Sequence, residues 1–193
     1  MQSESQQFQS AIEKFDAANA QDPTLVGNAP AELVYARRMT DWLHRLYPDA
    51  AEALQLAARA QHIRRWMIPR SRYPMIRQGY HQWRTTLYSF HADEAAKILR
   101  EVGYDDATID RVRSLLRKEK LKADPQTQAL EDVACLVFLE NYFADFAVKH
   151  EEKKIIDILR RTWKKMSERG RAAAMELPLK AEARRLVEMA LGS

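Results

Sequence analysis

The sequence predicts an all-α protein, a helical bundle folded as a single domain. Apolar residues recur every three or four positions along almost all of the 193 residues, which is the periodicity of an amphipathic helix. Only five glycines occur in this length, as expected for a chain with few tight turns, and no segment predicts a strand. We expect one domain over residues 1–193, with a core in residues 31–149 and further helices in residues 150–193.

The first half of the chain predicts four helices, each ended by a residue that breaks the pattern. They lie around residues 8–15 and across residues 31–47, 50–66 and 80–102. Pro48 and Asp49 separate the second helix from the third. Pro69, Pro74 and Gly79 predict a loop before the fourth, because each interrupts a helix.

The second half predicts further helices. Gly103 is the expected C-cap of the preceding helix, and Asp105 or Asp106 is the expected N-cap of a helix that runs to Lys118. A long helix is predicted over residues 127–149, followed by shorter ones that include residues 155–166 and 181–191. Cys135, the only cysteine, lies in an apolar run and predicts a buried thiol, no intrachain disulfide and a cytoplasmic location.

Positive charge is concentrated in one segment. Between Ala53 and Ala92 there is no acidic residue and no lysine, whereas the rest of the chain holds 24 basic and 27 acidic residues. The segment contains seven arginines: Arg59, Arg64, Arg65, Arg70, Arg72, Arg77 and Arg84. Because a guanidinium binds phosphate or carboxylate through two hydrogen bonds, the segment predicts an anionic ligand, such as a phosphate-bearing small molecule or a nucleotide.

The predicted ligand contacts extend through the proline-bracketed loop. They are Arg64, Arg65, Arg70, Arg72, Tyr73, Arg77 and Arg84. Prolines on both sides reduce the entropy that the loop loses on binding and so preset its arginines for an anion. A solvated basic loop without a ligand is the alternative.

Five residues are candidates for catalysis or metal binding. His62 lies near the end of an apolar helix, and His91 with Glu94 forms an i, i+3 pair on one helical face. Glu131 and Asp132 precede a strongly apolar run, so at least one carboxylate is expected near the core, where it needs a cation, a metal or several donors. We predict His62, Asp132 and Glu131 as catalytic residues, and His62, His91, Asp132 and Glu94 as ligands of zinc, iron or manganese. The alternative for His62 is a core histidine, and for His91 with Glu94 it is a plain surface pair. For Glu131 and Asp132 the alternative is a structural salt bridge.

Several functional classes lack support in this sequence. It contains no P-loop, no dinucleotide-binding fingerprint and no CxxC pair, and no serine lies in a nucleophile elbow. No run approaches the length of a membrane span, and the polar N-terminus lacks the features of a signal peptide. We therefore expect no membrane partner. The oligomeric state is not predicted.

The order of segments resembles the HD superfamily of metal-dependent phosphohydrolases. The resemblance rests on AARAQHIRRW, on HADEAAKILREVGYDDATIDRVRSLLRKE and on EDVACLVFLE, and it implies an all-α fold. It matches His62 to the histidine of the His-Asp doublet, His91 to an accessory histidine and Asp132 to the late aspartate. Ile63 replaces the aspartate of the doublet, and Tyr35 stands where the first histidine is expected. Lys118 or Glu119 occupies the place of a further histidine.

The chain is also identified as a member of domain-of-unknown-function family 4202. The shared segments are DAANAQDP, AARAQHIRRWMIPRSRYP, FHADEAAKIL and LEDVACLVFLENYFADF. Membership implies no reaction. Three hypotheses therefore stay open: a metal-dependent hydrolase of a phosphate-bearing molecule, an inactive HD-like sensor or interaction domain, and a module that binds RNA or DNA through arginines and aromatic rings.

Overall fold

The computed structural model describes the backbone of residues 2–192 and the side chains of residues 6–192. Almost all regular structure in these residues is helical, which confirms the all-α prediction. The contacts divide the chain into two compact units, Met1–Leu121 and Lys122–Ser193. A single domain stays a prediction.

The described residues of the first unit form a bundle of five α-helices. They are α1 (Gln2–Asn19), α2 (Ala31–Leu46), α3 (Glu52–Ala60), α4 (Arg77–Val102) and α5 (Asp106–Leu116). Helix α5 packs against both α3 and α4, and α1 contacts α2, α3 and α4. Large apolar side chains, among them Phe15, Met39, Leu56 and Leu99, are fully buried between them, and this burial is the main stabilising contribution to such a bundle.

A short antiparallel ribbon follows α1. Its strands are β1 (Leu25–Val26) and β2 (Ala29–Pro30), joined through Gly27 at φ +61°. The sequence did not predict these strands, because a two-residue strand is too short to show an alternating pattern.

Helix α3 is shorter than the sequence predicts. It ends at Ala60, and the residues up to Arg64 form turns before a single 3₁₀ turn at Arg65–Met67. Arg64 adopts the left-handed conformation, with φ 51°, which no α-helix continues through. The backbone N–H of Arg64 donates to Oδ1 of Asn19 at 3.0 Å. This tertiary contact with the end of α1 lies where α3 has ended. The spacing of apolar residues along the sequence does not predict it.

The predicted loop over residues 69–79 is also partly wrong. It contains a 3₁₀ turn at Arg70–Arg72, and α4 already begins at Arg77. Gly79 therefore lies inside α4 rather than ending the loop. Any side chain at position 79 would collide with the carbonyl group of Pro74, so this glycine permits close packing of the loop onto the helix.

Both helix caps predicted around position 104 are confirmed. Gly103 ends α4 at φ +89°, and the carboxylate of Asp105 accepts a hydrogen bond from the backbone N–H of Thr108 at 2.7 Å. Helix α5 ends at Leu116, two residues before the predicted end.

Five further helices lie in the described part of the second unit. They are α6 (Pro125–Asn141), α7 (Phe143–Ala147), α8 (Glu152–Lys165), α9 (Glu168–Met175) and α10 (Ala181–Leu191). The predicted long helix over residues 127–149 is wrong, because Tyr142 leaves the helical conformation and separates α6 from α7. Cys135 is a buried thiol, as predicted. Among the described residues, no helix is long and apolar enough to cross a membrane.

Candidate functional site

A pair of histidines lies at the centre of the candidate site in the first unit. His62 lies in the turn after α3, and His91 lies in the middle of α4. Their ring centroids are 5.8 Å apart. The ring of Tyr35, from α2, stacks on His62 with a centroid distance of 3.9 Å and an interplanar angle of 10°. The early end of α3 is what brings His62 into this position, because it releases the residue from the helix.

His91 has one ring nitrogen bound and the other without a partner. Its side chain is buried, and Nδ1 lies 2.9 Å from the carbonyl oxygen of Ile63. Because a carbonyl oxygen only accepts, Nδ1 carries the proton and Nε2 presents a lone pair. That Nε2 atom is buried and has no hydrogen-bond partner in the described structure. An unsatisfied buried acceptor is costly and calls for a ligand, an ion or a water molecule.

The orientation of His62 is set by a carboxylate. Its Nδ1 lies 3.4 Å from Oε2 of Glu32, in the first turn of α2, and its side chain stays about a quarter exposed (24%). The other oxygen of Glu32 lies 3.7 Å from Nη1 of Arg65. A proton on Nδ1 facing this carboxylate leaves the lone pair of His62 on Nε2 as well.

Burial keeps both imidazoles neutral. The pKa of His91 is lowered to about 3, chiefly by burial and secondly by the neighbouring His62. The pKa of His62 is also held well below its usual range, first by burial and then by the positive charges of Arg65, Lys118 and Arg84. The pKa of Glu32 is raised by burial, although Arg65 opposes the rise. At neutral pH the pair can therefore accept hydrogen bonds or bind a metal through nitrogen.

Cations surround this pair on aromatic surfaces. The guanidinium of Arg65 lies 5.0 Å from the ring centre of Trp83. Arg84 and Lys118 lie on the ring of Tyr88, at 5.3 and 5.8 Å from its centre, and Arg84 also donates to the Tyr88 hydroxyl. Cation–π contacts of this kind hold charged side chains in fixed positions.

Two of the predicted site residues form a separate ion pair. Arg64 donates to Oε2 of Glu94 at 3.1 Å, and Lys97 donates to Oε1 of the same carboxylate at 2.5 Å. Both oxygens of Glu94 are thus engaged by cations. The predicted role of Glu94 as a metal ligand stays a prediction.

The arginines of the predicted loop bind main-chain or neutral groups. Arg70 donates to the carbonyl oxygens of Tyr73 and Pro74 at 2.9 and 2.8 Å, and Arg72 donates to that of Met67 at 3.2 Å. Arg77 contacts the ring of His81. Tyr73 contributes its carbonyl group to this arrangement, and its phenol ring is half-buried. Arg59 differs from all of these, because it is bound by both oxygens of Asp16.

Glu131 and Asp132 lie on α6, in the second unit, and both are buried. Asp132 accepts hydrogen bonds from the backbone N–H of Ser167 at 2.8 Å, from its hydroxyl at 2.5 Å and from Gln128 at 3.0 Å. Glu131 lies 3.7 Å from Nζ of Lys165. These contacts supply the donors and the cation that the sequence analysis required of buried carboxylates. Their predicted catalytic roles stay predictions.

Three residues near the pair were missing from the predicted site: Glu32, Tyr35 and Lys118. Tyr35 and Lys118 entered the sequence analysis only as departures from a ligand pattern. Glu32 had one signal, an acidic residue in the first turn of a predicted helix, which is more often a capping charge.

The donor atoms fit a metal in part. The Nε2 atoms of His62 and His91 carry lone pairs, and each Nδ1 faces an acceptor, as is usual for histidines that bind metals. Within the described residues, however, no group of three or more histidine, cysteine, aspartate or glutamate side chains is arranged to hold an ion. Two nitrogen ligands are thus what the pair itself offers.

The sequence places the chain in a known protein family. Residues 9–187 match the family described as a domain of unknown function (DUF4202). The match covers most of the chain, and the protein therefore belongs to this family. No curated protein and no solved structure matches the sequence.

Proposed function

We propose that the first unit binds a phosphate-bearing small molecule or a nucleotide at the histidine pair. The observation that carries this proposal is the buried Nε2 of His91, an acceptor without a partner beside the ring of His62. Native proteins rarely leave such an atom unsatisfied, so this exception calls for an explanation such as a bound ligand or ion.

The charge around the pair favours an anion as the ligand. Arg65, Arg84 and Lys118 all act on His62, and they lower its pKa. Each is also held in place by an aromatic ring. Fixed cations stabilise the charge of a phosphoryl group without reorganising when it binds. Glu32 contacts both His62 and Arg65, and it orients these two side chains.

A divalent cation is compatible with this role. It would be held by Nε2 of His62 and Nε2 of His91, and zinc, iron or manganese suit such nitrogen ligands. When bound, an ion of this kind polarises a phosphoryl oxygen and lowers the pKa of water. The residues of the chain itself hold the ligand: Arg65 neutralises the phosphoryl charge, and the two neutral imidazoles accept hydrogen bonds from its hydroxyl or amino groups.

A ligand sensor without hydrolytic activity is the second candidate. It is favoured by the number of ligands, since two histidines form a smaller set than the three protein ligands usual at catalytic zinc sites. A hydrolase would bind the same ligand at the same site and then cleave its phosphate. Binding of RNA or DNA receives less support, because Trp83 is buried and its indole N–H donates to the carbonyl of Ile68, so its ring is not available to stack on a base.

The proposal is tested by substituting both histidines in the full chain. We would titrate the His62→Gln/His91→Gln double variant and the wild type with Zn²⁺, Mn²⁺ and AMP, following melting temperature and binding heat. The wild type is expected to bind AMP, and the double variant to bind it at least about tenfold more weakly, a difference of about 1.4 kcal/mol.

The matched control is His44→Gln, which removes an exposed histidine on α2 and should change nothing. Release of phosphate from AMP distinguishes the hydrolase from the sensor. Equal AMP binding by all three proteins would contradict the proposal. If no metal changes the melting temperature of the wild type, the proposed site holds no metal.

A further inference from the structure

A second surface on the first unit combines exposed apolar side chains with arginines. Three apolar residues between positions 67 and 76 are strongly exposed: Met67 at 48%, Met75 at 79% and Ile76 at 61%. Surface residues of this kind scattered singly need no explanation, but a group within ten positions does. We name the group formed by Met67, Met75, Ile76, Arg72 and Arg77 the loop surface.

The loop surface is held in place by its own arginines. Arg70 donates to the carbonyl oxygens of Tyr73, Pro74 and Ile76. Arg72 donates to the carbonyl of Met67. These bonds tie both ends of the loop together across the 3₁₀ turn.

The loop is further fixed to α4. The indole N–H of Trp83 donates to the carbonyl of Ile68 at 2.8 Å, and Gly79 packs against the backbone of Pro74. The apolar side chains are thus presented on a constrained backbone. A surface that is ordered before binding loses less entropy when a partner docks.

The charged side chains of the loop surface, Arg72 and Arg77, are both positive. Within the described residues, neither Arg72 nor Arg77 forms an ion pair with a carboxylate, because their hydrogen bonds go to Met67 and His81. No acidic residue occurs between positions 53 and 92. A partner that covers Met75 and Ile76 would gain further attraction from its own carboxylates.

We propose that the loop surface docks an acidic amphipathic segment of a partner protein. Methionine side chains adapt to the shape of an apolar partner face and are common at peptide-binding surfaces. Arg72 and Arg77 would contact glutamate or aspartate residues at the edge of that face. This site is distinct from the histidine pair, and its function does not depend on the ligand proposed there.

A synthetic probe tests the proposal in the full chain. We would use a fluorescein-labelled helical peptide of about 18 residues, five turns, with leucine on one face and glutamate on the other. Anisotropy should show saturable binding to the wild type. Met75→Ser/Ile76→Ser and, separately, Arg77→Glu should each weaken it at least about tenfold. Arg77 is the first residue of α4, where an acidic side chain favours the helix, so folding is preserved.

Matched controls lie in the second unit. Val148→Ser removes an equally exposed apolar side chain, and Lys153→Glu reverses a charge in the first turn of α8. Both should leave peptide binding unchanged. The proposal is overturned if the loop variants bind the peptide as the wild type does. It is also overturned if single-stranded RNA, or phosphatidylcholine vesicles with about 30% phosphatidylserine, bind in a Met75- and Ile76-dependent manner while the peptide does not.

Discussion

The ring of His91 shows how one residue links the fold to the candidate site. Its Nδ1 proton satisfies the carbonyl of Ile63, in the turn where α3 has ended. This hydrogen bond fixes the turn, and it also determines which nitrogen presents the lone pair. A residue with both roles cannot be classified from sequence as either a core histidine or a ligand, because the spacing of apolar residues is the same in both cases.

The neutral state of His91 predicts that acid destabilises the protein. Its pKa is about 3 in the folded state and about 6.5 in the unfolded chain, so only the unfolded chain takes up a proton between these values. The stability contributed by the neutral ring is complete above pH 6.5 and is lost as the pH falls. From pH 7.5 to 5.5 we expect a loss of about 1.4 kcal/mol from this residue.

Urea unfolding at both pH values, with a chelator present, checks this expectation. His91→Gln keeps a donor for the carbonyl of Ile63 but has no group that titrates in this range, so its stability should change less with pH than that of the wild type. His62 acts in the same direction. If both proteins respond equally to pH, His91 is not held neutral by the fold.

Gly170 gives a second prediction at the scale of a residue. A Cβ atom at this position would lie 2.7 Å from Oδ1 of Asp132, which is itself fully buried. We expect Gly170→Ala to destabilise the protein by about 1–3 kcal/mol, the usual cost of overpacking. Urea denaturation measures the effect, and Ala172→Ser, at an exposed position of the same helix, should be nearly neutral.

Among the elements, α9 depends on α6 for its start. Ser167 is the N-cap of α9, since its Oγ accepts from the backbone N–H of Gly170 at 3.1 Å, and the same hydroxyl donates to Asp132. Ser167→Ala removes a cap, which costs about 1 kcal/mol, and it also removes a donor from a buried carboxylate. We expect a larger loss of unfolding free energy than for the N-cap variant Asp105→Ala, whose carboxylate is exposed. Equal losses would mean that Asp132 does not need the hydroxyl.

The loop before α4 has its own expected behaviour. Because Arg70 donates to three carbonyl groups of residues 73–76, Arg70→Ala should raise amide hydrogen exchange and protease cleavage in residues 67–76. Global stability should change little, because the loop buries few large side chains. Arg77→Ala, at the edge of the same loop, is the control and should leave exchange as in the wild type. Unchanged exchange in both variants would assign Arg70 no structural role.

For the whole molecule, the two compact units predict that the first can be studied alone. The segment Met1–Leu121 contains both members of the histidine pair, His62 and His91, together with Glu32 and a buried core of its own. We expect this fragment to unfold cooperatively in urea and to bind AMP within about tenfold of the full chain. Circular dichroism establishes first that the fragment is helical. Binding lost from a folded fragment would show that the second unit contributes to the site, and Asp132 would be the residue to substitute next.

What the sequence alone determined was the class of the fold and most of its elements. The all-α architecture, α2, α10, the cap at Gly103, an N-cap at Asp105 or Asp106 and the buried Cys135 all followed from local spacing and from single residues with strong conformational preferences. These features depend on neighbours within a few positions, so the sequence contains the information they need.

The tertiary structure alone decided where helices stop early and what the charged residues do. The end of α3 coincides with the side chain of Asn19, 45 positions away from Arg64. It brings His62 beside His91 and Glu32. Likewise, the arginines of the acid-free segment have different partners: carboxylates, carbonyl groups and aromatic rings. Which partner each arginine has depends on what lies close to it after folding. A guanidinium binds all of these acceptors, so its choice depends on distances that only the folded chain creates.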